Sequence, residues 1–335
     1  MSTPVGQVPK VTTVLDKSDI HGTIMARLGG ARDNYKISPG LYCVGDPDQD
    51  SPVLVTANYK LTFDSLRKEL DGLNAWILVL DTRGINVWCA AGKKLFSTEE
   101  VITRVKMSGL HNIVKHKELI LPQLAATGVS SHLVKKWCGF KVIWGPIRAN
   151  DVKKFLSAGM QADQSMRQVT FTTAERLELI PVELYLLRKP ALYALAAILL
   201  ISGISPGFFS FSAAFSRGIM AASALLIGIV SGAVVVPILL PLLPGPAFYY
   251  KGALVGFFGG VLAAWMWWGQ AGAMASLALL IFVTAISSFL AMNFTGSTPF
   301  TSPSGVEKEM REAIPRQMIA LGVAVAIWMI TGVFA

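Results

Sequence analysis

Residues 75–93 read AWILVLDTRGINVWCAAGK. The first six are apolar without interruption, which predicts a strand that is buried on both faces. The polar turn Asp81–Gly84 follows, and Asn86 then has the position of an N-cap before a short helix at 88–94. A buried strand that leads through a turn into a helix is typical of an α/β domain.

The same alternation of strands and helices extends from this segment in both directions. The predicted strands are 52–56, 75–80, 118–121 and 140–144, and the predicted helices are 61–70, 88–94, 98–109, 130–138 and 151–158. The spacing predicts a doubly wound parallel sheet, in which ligands bind beyond the carboxyl ends of the strands. Glycine or proline occurs in three of the four loops that follow the strands. This composition suits a flat ligand close to the backbone, although ordinary turns share it.

Composition separates the α/β part of the chain from a membrane part. Of the 335 residues, 53% are hydrophobic, and few ionisable side chains follow Pro190. We therefore predict an N-terminal segment with a helix at 1–30, an α/β domain at 31–189 and a transmembrane domain at 190–335. Five apolar runs approach the length of about 20 residues that crosses a bilayer. The predicted spans lie near 191–209, 218–240, 248–269, 271–293 and 317–334.

Charge distribution predicts the orientation in the membrane. If the α/β domain is cytoplasmic, five spans leave Arg217 outside and the other basic loop residues inside, as the positive-inside rule expects. The first residues, MSTPVGQVPKV, contain no apolar signal region, which also favours a cytoplasmic domain. We expect a multi-pass protein of the inner (cytoplasmic) membrane with its C-terminus outside. The net charge of +9 then faces membrane lipid. Nucleic acid is not an expected partner, because the basic residues do not cluster around aromatics.

The predicted spans contain no ionisable residue in their interiors, which argues against a pump or an ion-coupled carrier. They fit an anchor or a docking frame. The stretch 293–306 between the last two spans is long for such a connection. We predict either a simple polar linker there or a surface that contacts the α/β domain or a partner.

Cys89 is the candidate reactive residue. It stands at the third position of the predicted helix, where unpaired amides and the helix dipole stabilise a thiolate, and Lys93 follows on the same face. A thiol there can act as a nucleophile or a soft metal ligand; the alternative is a small buried side chain. Cys43 and Cys138 are interpreted as core or surface residues. An iron–sulfur cluster needs about four thiolates, so none is expected in a chain with three cysteines.

Residues 86–93, NVWCAAGK, resemble the cap-helix motif of the HgcA family, the membrane-anchored corrinoid proteins of microbial mercury methylation. The order of a soluble domain and five spans is also similar, so the resemblance covers essentially the whole chain. Two further segments, LILPQL at 119–124 and GPIRA at 145–149, are similar to the corrinoid-binding domain of the corrinoid iron–sulfur protein large subunit of the acetyl-CoA pathway. That relative has an iron–sulfur domain, which is not expected here.

The resemblance implies a cobalamin-type corrinoid in the base-off form, with the thiolate of Cys89 as the lower axial ligand of cobalt. The implied reaction transfers a methyl group from methyl-cobalt(III) to mercuric ion and forms methylmercury. The resemblance assigns the cap beneath the ring to Asn86, Val87, Trp88, Cys89, Ala90, Ala91, Gly92 and Lys93. It assigns the surround of the cofactor to Tyr59, Leu61, Thr62, Gly128, Val129, Gly145, Pro146, Arg148 and Ala149.

The implied partners are a ferredoxin-like [4Fe-4S] protein that supplies electrons and mercury, and a methyltetrahydrofolate-dependent system that supplies the methyl group. A donating sulfur opposite the methyl group would assist transfer to an electrophile but hinder the reduction of cobalt, which favours mercury over carbon metabolism. Two alternatives remain open. One is a membrane-bound corrinoid methyl carrier of one-carbon metabolism, and the other is a membrane binding module without enzymatic activity.

Overall fold

The computed structural model describes residues 1–298, 301 and 303–334. The chain forms two compact units, Met1–Thr170 and Phe171–Ala335. The first unit is an α/β structure built on one central sheet, and the second is built from long apolar helices.

Five strands form the central sheet of the first unit. They are β1 (Gly40–Val44), β2 (Val53–Ala57), β3 (Ala75–Leu80), β4 (Glu118–Leu121) and β5 (Lys141–Trp144), in the order β1-β3-β2-β4-β5. The last four strands are parallel, as predicted, but β1 pairs antiparallel with β3, with Tyr42 opposite Ile77. The sheet is therefore mixed, and the prediction of a purely parallel sheet is wrong at this edge. The hydrophobic pattern of the sequence does not reveal β1, because its short apolar run begins at a glycine and ends at the turn-forming sequence GDPDQD.

Helices cover both faces of this sheet. They are α1 (Lys17–Arg27), α2 (Lys60–Arg67), α3 (Val87–Gly92), α4 (Thr98–Met107), α5 (Ser131–Cys138) and α6 (Val152–Ser157). Successive side chains of β3 point to opposite faces. Trp76 and Leu78 belong to a core with α3, α4 and α5, whereas Ile77 and Val79 belong to a core with α2 and α6. The predicted helices of the sheet are all present, with boundaries that differ by a few residues.

Ion pairs hold α1 against the start of α2. Asp19 lies 2.5 Å from Lys60 Nζ and 2.5 Å from Arg67 Nη2, and the buried carboxylate of Asp64 contacts the same two cations. Burial raises the pKa of Asp19, but the hydrogen bonds from Lys60 and Arg67 outweigh it and lower the pKa to about 2. The network therefore fixes α2, whose first turn directly follows the carboxyl end of β2.

The second unit is mainly helical, with a short antiparallel pair formed by Ile204–Ser205 and Phe208–Phe209. Its helices are α7 (Thr173–Leu177), α8 (Ile180–Ser202), α9 (Phe211–Ile229), α10 (Val236–Leu239), α11 (Phe248–Asn293) and α12 (Pro303–Val333). A π-helical stretch, Val230–Val235, joins α9 to α10 without a break. Within the described residues, four helices are long and apolar enough to cross a membrane. The structure thus supports membrane association, with four such helices where five spans are predicted.

A sharp bend divides α11 into two arms. The backbone leaves the helical region at Gly272, where φ is 70° and ψ is 175°. The arms run side by side, because Ser287 Oγ donates a hydrogen bond of 2.7 Å to the carbonyl oxygen of Gly252. Gly260 lies against the opposite arm, where a Cβ would meet the backbone of Leu280. The predicted third and fourth spans lie on these two arms, and their separate passage through a membrane stays a prediction.

The helices extend beyond the predicted spans. α8 begins at Ile180, so Lys189 and Pro190 lie inside a helix and not before it. α12 begins at Pro303, although its apolar part starts near residue 317. Backbone hydrogen bonding continues into charged segments, whereas hydropathy detects only the apolar part of a helix.

The stretch 293–306 is shorter as a connection than predicted. Asn293 ends α11, a 3-10 helix occupies Phe294–Ser297, and α12 begins at Pro303. Pro299, Phe300 and Ser302 lie outside the described residues. The idea that this stretch contacts a partner stays a prediction.

Candidate functional site

A pocket of ≈ 390 Å³ opens beyond the carboxyl ends of β2, β4 and β5. Its volume lies within the range of about 300 to 1,000 Å³ that is typical of small-molecule sites. The lining residues are Val55, Thr56, Tyr59, Leu61, Thr62, Ser65, Leu66, Asn86, Val87, Trp88, Ile120, Pro122, Leu124, Gly145, Pro146, Ile147, Arg148, Ala149 and Val152. Most of them follow the ends of the strands, where the sequence predicts ligand binding.

The topology of the sheet creates this pocket. The chain leaves β2 through α2 on one face of the sheet and leaves β4 through α5 on the opposite face. Because β2 and β4 are neighbours, their connections diverge and leave a crevice between them. α3 follows β3 and closes one side of the crevice with Val87 and Trp88.

The segment that follows β5 forms one wall of the pocket and contributes main-chain atoms and one charged side chain. Gly145 N donates a hydrogen bond of 2.8 Å to the carbonyl oxygen of Leu121. A Cβ on Gly145 would lie 3.0 Å from Ile120 Cγ2 and 3.4 Å from that carbonyl oxygen, so a larger residue would narrow the pocket. Arg148 contributes the charged side chain of the described lining and donates to the hydroxyl of Thr170. A ligand with an apolar body and an anionic group fits this composition.

A buried polar hub holds α3 at the edge of the pocket. Asn58 directly follows β2 and is 2% exposed. Its Oδ1 accepts hydrogen bonds from Thr82 N at 3.0 Å and from Gly84 N at 2.9 Å, and it also contacts Thr82 Oγ1 at 2.9 Å. Its Nδ2 donates to Asp81. The turn before α3 is therefore tied to the end of the neighbouring strand, which sets the position of the helix.

Cys89 is exposed on α3, and the two sides of this short helix differ. Asn86 caps the helix, since its Oδ1 accepts a hydrogen bond of 2.9 Å from Cys89 N. Ala90 and Ala91 point into the core and are 0% and 2% exposed. Trp88 lines the pocket, whereas Cys89 lies beside it and outside the lining. Cys89 is thus exposed and is adjacent in the chain to the lining residue Trp88, and we call this position the rim of the pocket.

The other two thiols are less accessible. Cys43 is buried in β1, and Cys138 is half-buried at the end of α5. Burial raises the pKa of both thiols. Neither lines the pocket, in keeping with their interpretation as core or surface residues.

The structure brings many of the predicted site residues together and separates others. Tyr59, Leu61, Thr62, Asn86, Val87, Trp88, Gly145, Pro146, Arg148 and Ala149 line the pocket. Cys89, Ala90, Ala91, Gly92, Lys93, Gly128 and Val129 do not. Gly128 supports α3 from behind, because a Cβ there would collide with the carbonyl oxygen of Phe96 and lie 3.0 Å from Ala91 Cα. Val129 is buried in the core.

Several lining residues and the polar hub are absent from the prediction. The missed lining residues are Val55, Thr56, Ser65, Leu66, Ile120 and Val152. The missed residues on strands and helices look like ordinary core positions in the sequence. They line the pocket only because the connections that follow β2 and β4 diverge to opposite faces of the sheet. Asn58 carries no distinct signal, since asparagine after a strand is common in turns, and only its burial in the structure shows that its amide must be hydrogen-bonded.

Comparisons with known proteins match this unit. A family model described as CO dehydrogenase/acetyl-CoA synthase delta subunit matches residues 30–156. The acetyl-CoA decarbonylase/synthase complex subunit gamma of Methanopyrus kandleri is 32% identical over 127 residues, which are 37% of this chain and 27% of the relative. The subunit of the same name from Methanocaldococcus jannaschii is 38% identical over 100 residues, 29% of this chain and 20% of the relative. The chain spans about a quarter of the length of these curated relatives. The matching residues include the whole pocket and α3.

Proposed function

We propose that this chain is a membrane-anchored methyl-transfer protein whose α/β domain holds a cobalamin-type corrinoid. The observation that carries the proposal is the exposed sulfur of Cys89 at the rim of a strand-end pocket, in a region similar to subunits of the acetyl-CoA decarbonylase/synthase complex. When bound, a corrinoid supplies a cobalt ion that accepts and releases a methyl group. The protein supplies ligation and placement.

The pocket and the outer face of α3 divide the binding of a base-off corrinoid between them. A pocket of ≈ 390 Å³ accepts only part of so large a cofactor. We assign the pocket to the nucleotide tail, whose base suits the apolar wall of Leu61 and Leu124 and whose phosphate suits Arg148. We assign the ring to the exposed side of α3, where Cys89 faces outwards. Gly145 fits this arrangement, because a larger residue there would narrow the pocket.

Cys89 provides the donor that this arrangement needs. A thiolate is a soft ligand suited to a transition metal. The cap made by Asn86 fixes the backbone of Cys89, and the hub at Asn58 fixes the turn before it. The thiolate of Cys89 would hold the cobalt of the corrinoid as a strong donor, and the bound cofactor would supply the methyl-transfer chemistry.

The comparisons favour one-carbon metabolism as the destination of the methyl group. The similar proteins are named as subunits of a complex that handles acetyl-CoA, so we propose a methyl carrier that works with protein partners. A methyltetrahydrofolate-dependent system would supply the methyl group, and a ferredoxin-like [4Fe-4S] protein would supply electrons.

Mercuric ion is the second candidate acceptor, and the exposure of Cys89 favours it. A carrier that must return often to a reduced metal gains little from a thiolate, whereas transfer to a soft, electron-poor acceptor gains from it. In this case the ferredoxin-like partner would also deliver mercury, and the product would be methylmercury. We place the α/β domain in the cytoplasm and the helices in the inner membrane, with the two arms of α11 as separate spans and the C-terminus outside.

Methyl transfer from the reconstituted full chain separates the two acceptors. The protein is loaded with cobalamin, methylated and mixed with mercuric chloride, and methylmercury is measured beside Cys89→Ala and the control Cys138→Ala. Mercury methylation that is lost only in Cys89→Ala supports the second candidate. Methylation of the cofactor from methyltetrahydrofolate in all three proteins, without methylmercury, supports the carrier. Failure of the unaltered chain to retain cobalamin would reject both.

A further inference from the structure

The outer surface of α4 and α5 is exposed and apolar at its centre. Met107 at the end of α4 is 73% exposed, and Trp137 on α5 is 59% exposed. Leu133 lies one helical turn before Trp137 and is exposed too. We call this surface, with the neighbouring Lys106, Lys135 and Lys136, the α4–α5 face. Two large apolar side chains exposed one turn apart on α5, with a third exposed at the end of the neighbouring α4, are typical of a contact surface.

Lysine residues lie close to these apolar residues in the sequence, and one of them contacts Trp137. Lys106, Lys135 and Lys136 are exposed, and Lys136 Nζ lies 5.6 Å from the centre of the Trp137 ring. The stretch 101–146 contains seven basic residues and one acidic residue. Arg104 within it is paired with Glu100 at 2.7 Å, so lysines carry most of the free positive charge of this face.

We propose that the α4–α5 face docks on the surface of an anionic membrane. Trp137 and Met107 enter the headgroup region, and the lysines contact acidic lipid. The first unit is covalently joined to helices that are long and apolar enough to cross a bilayer, and such a tether would give the lipid surface a high effective concentration. Tryptophan favours the membrane interface, and lysines near it gain from anionic headgroups. The inference does not depend on the bound corrinoid or on the methyl acceptor.

An acidic protein is the rival occupant of this face. Protein interfaces are enriched in arginine and depleted in lysine, because the planar guanidinium makes paired hydrogen bonds with carboxylates. The α4–α5 face presents lysines, which act as mobile point charges and suit a fluid array of headgroups. This composition and the nearby bilayer together favour lipid.

Quenching of Trp137 by lipid tests the proposal in the full, cofactor-free chain. The protein is placed in nanodiscs of phosphatidylcholine alone or with phosphatidylglycerol, each containing brominated lipid. The emission of Trp137 is the difference between the unaltered chain and Trp137→Phe. Trp144→Phe, which removes a half-buried tryptophan of β5, is the control for the subtraction. We expect strong quenching of Trp137 with phosphatidylglycerol, weak quenching without it, and recovery at high salt.

Charge reversal provides the second readout. A lysine near an anionic surface contributes about fivefold to the docking equilibrium, so Lys135→Glu with Lys136→Glu should weaken docking at least about 25-fold. Lys17→Glu with Lys153→Glu makes the same change of net charge elsewhere on the unit and should leave quenching intact. Equal effects of the two pairs, or unquenched Trp137 emission in anionic nanodiscs, would overturn the proposal. Protection of Trp137 by an acidic ferredoxin but not by lipid would overturn it too and assign the face to a protein.

Discussion

Replacement of Asn58 by alanine tests whether the polar hub sets the position of α3. The substitution removes the acceptor of the Thr82 and Gly84 amides, which approach Asn58 Oδ1 at 3.0 and 2.9 Å. Each buried amide left without an acceptor costs about 1 to 3 kcal/mol. Thr82 is fully buried, so water cannot readily replace the lost partner. For the two amides together, we expect the turn and α3 to be destabilised by about 2 to 6 kcal/mol.

Hydrogen–deuterium exchange of the segment 81–92 measures this loss. A destabilisation of 2 kcal/mol corresponds to exchange about thirtyfold faster, and the affinity for cobalamin should fall as the position of Cys89 is lost. Asn112→Ala is the control, because Asn112 is exposed on the same unit. β4 and α5 should keep their protection in both variants.

The outcome that would refute the reasoning is specific. If Asn58→Ala leaves the exchange of 81–92 within twofold of the unaltered chain, the hub does not hold α3. If exchange accelerates but cobalamin binds as tightly as before, α3 is not part of the binding surface.

Three further changes test other parts of the structure. Gly145→Ala should lower the affinity for cobalamin about tenfold in equilibrium dialysis. The reason is that its Cβ would lie 3.0 Å from Ile120 Cγ2, and overpacking costs about 1 to 3 kcal/mol. Unchanged affinity would mean that the nucleotide tail of the cofactor binds elsewhere. The pKa of Asp19 is lowered to about 2 in the folded chain. Its ionised form therefore stabilises the fold by about 2 kcal/mol at neutral pH, and this stabilisation is lost as the pH falls from about 4 to about 2. Circular dichroism should show that this acid transition is weaker in Asp19→Asn. Gly272→Ala should destabilise the second unit by about 1 to 3 kcal/mol, because φ of 70° with ψ of 175° suits only glycine; Gly269→Ala, where a Cβ meets nothing, should be neutral in thermal inactivation.

The sequence pattern predicts the parallel core of the first unit because its central strands β2, β3 and β4 are almost entirely buried. Residues 75–80 are an example, and all six are buried in the structure. The edge strand β1 lacks this signal, because a short edge strand needs no long apolar run. The antiparallel pairing of Tyr42 with Ile77 is determined by tertiary contacts, and a local sequence pattern does not predict it.

The candidate site divides in the same way. Asn86 and Cys89 are recognisable because a cap and a helix start are local features. Gly128 and Val129 were expected beside a ligand, but they support α3 from the core, since sequence order does not show which side of a loop faces the crevice. The hub at Asn58 joins residues 24 to 26 positions apart, which only the folded sheet reveals.

Hydropathy predicts the apolar parts of the second unit but not the ends of its helices. α12 continues through a charged stretch to Pro303, and α8 passes through Pro190. The bend at Gly272 lies within a few residues of the boundary between the predicted spans 248–269 and 271–293. Both arms are apolar, so hydropathy does not locate the bend more closely. The backbone conformation that glycine allows marks it in the structure.

The most direct test is cobalt X-ray absorption of the full chain loaded with cobalamin. We expect a sulfur ligand on cobalt in the unaltered protein and in Cys138→Ala, and its loss in Cys89→Ala. A nitrogen ligand in that position, or an unchanged spectrum in Cys89→Ala, would contradict the assignment of Cys89 to the metal.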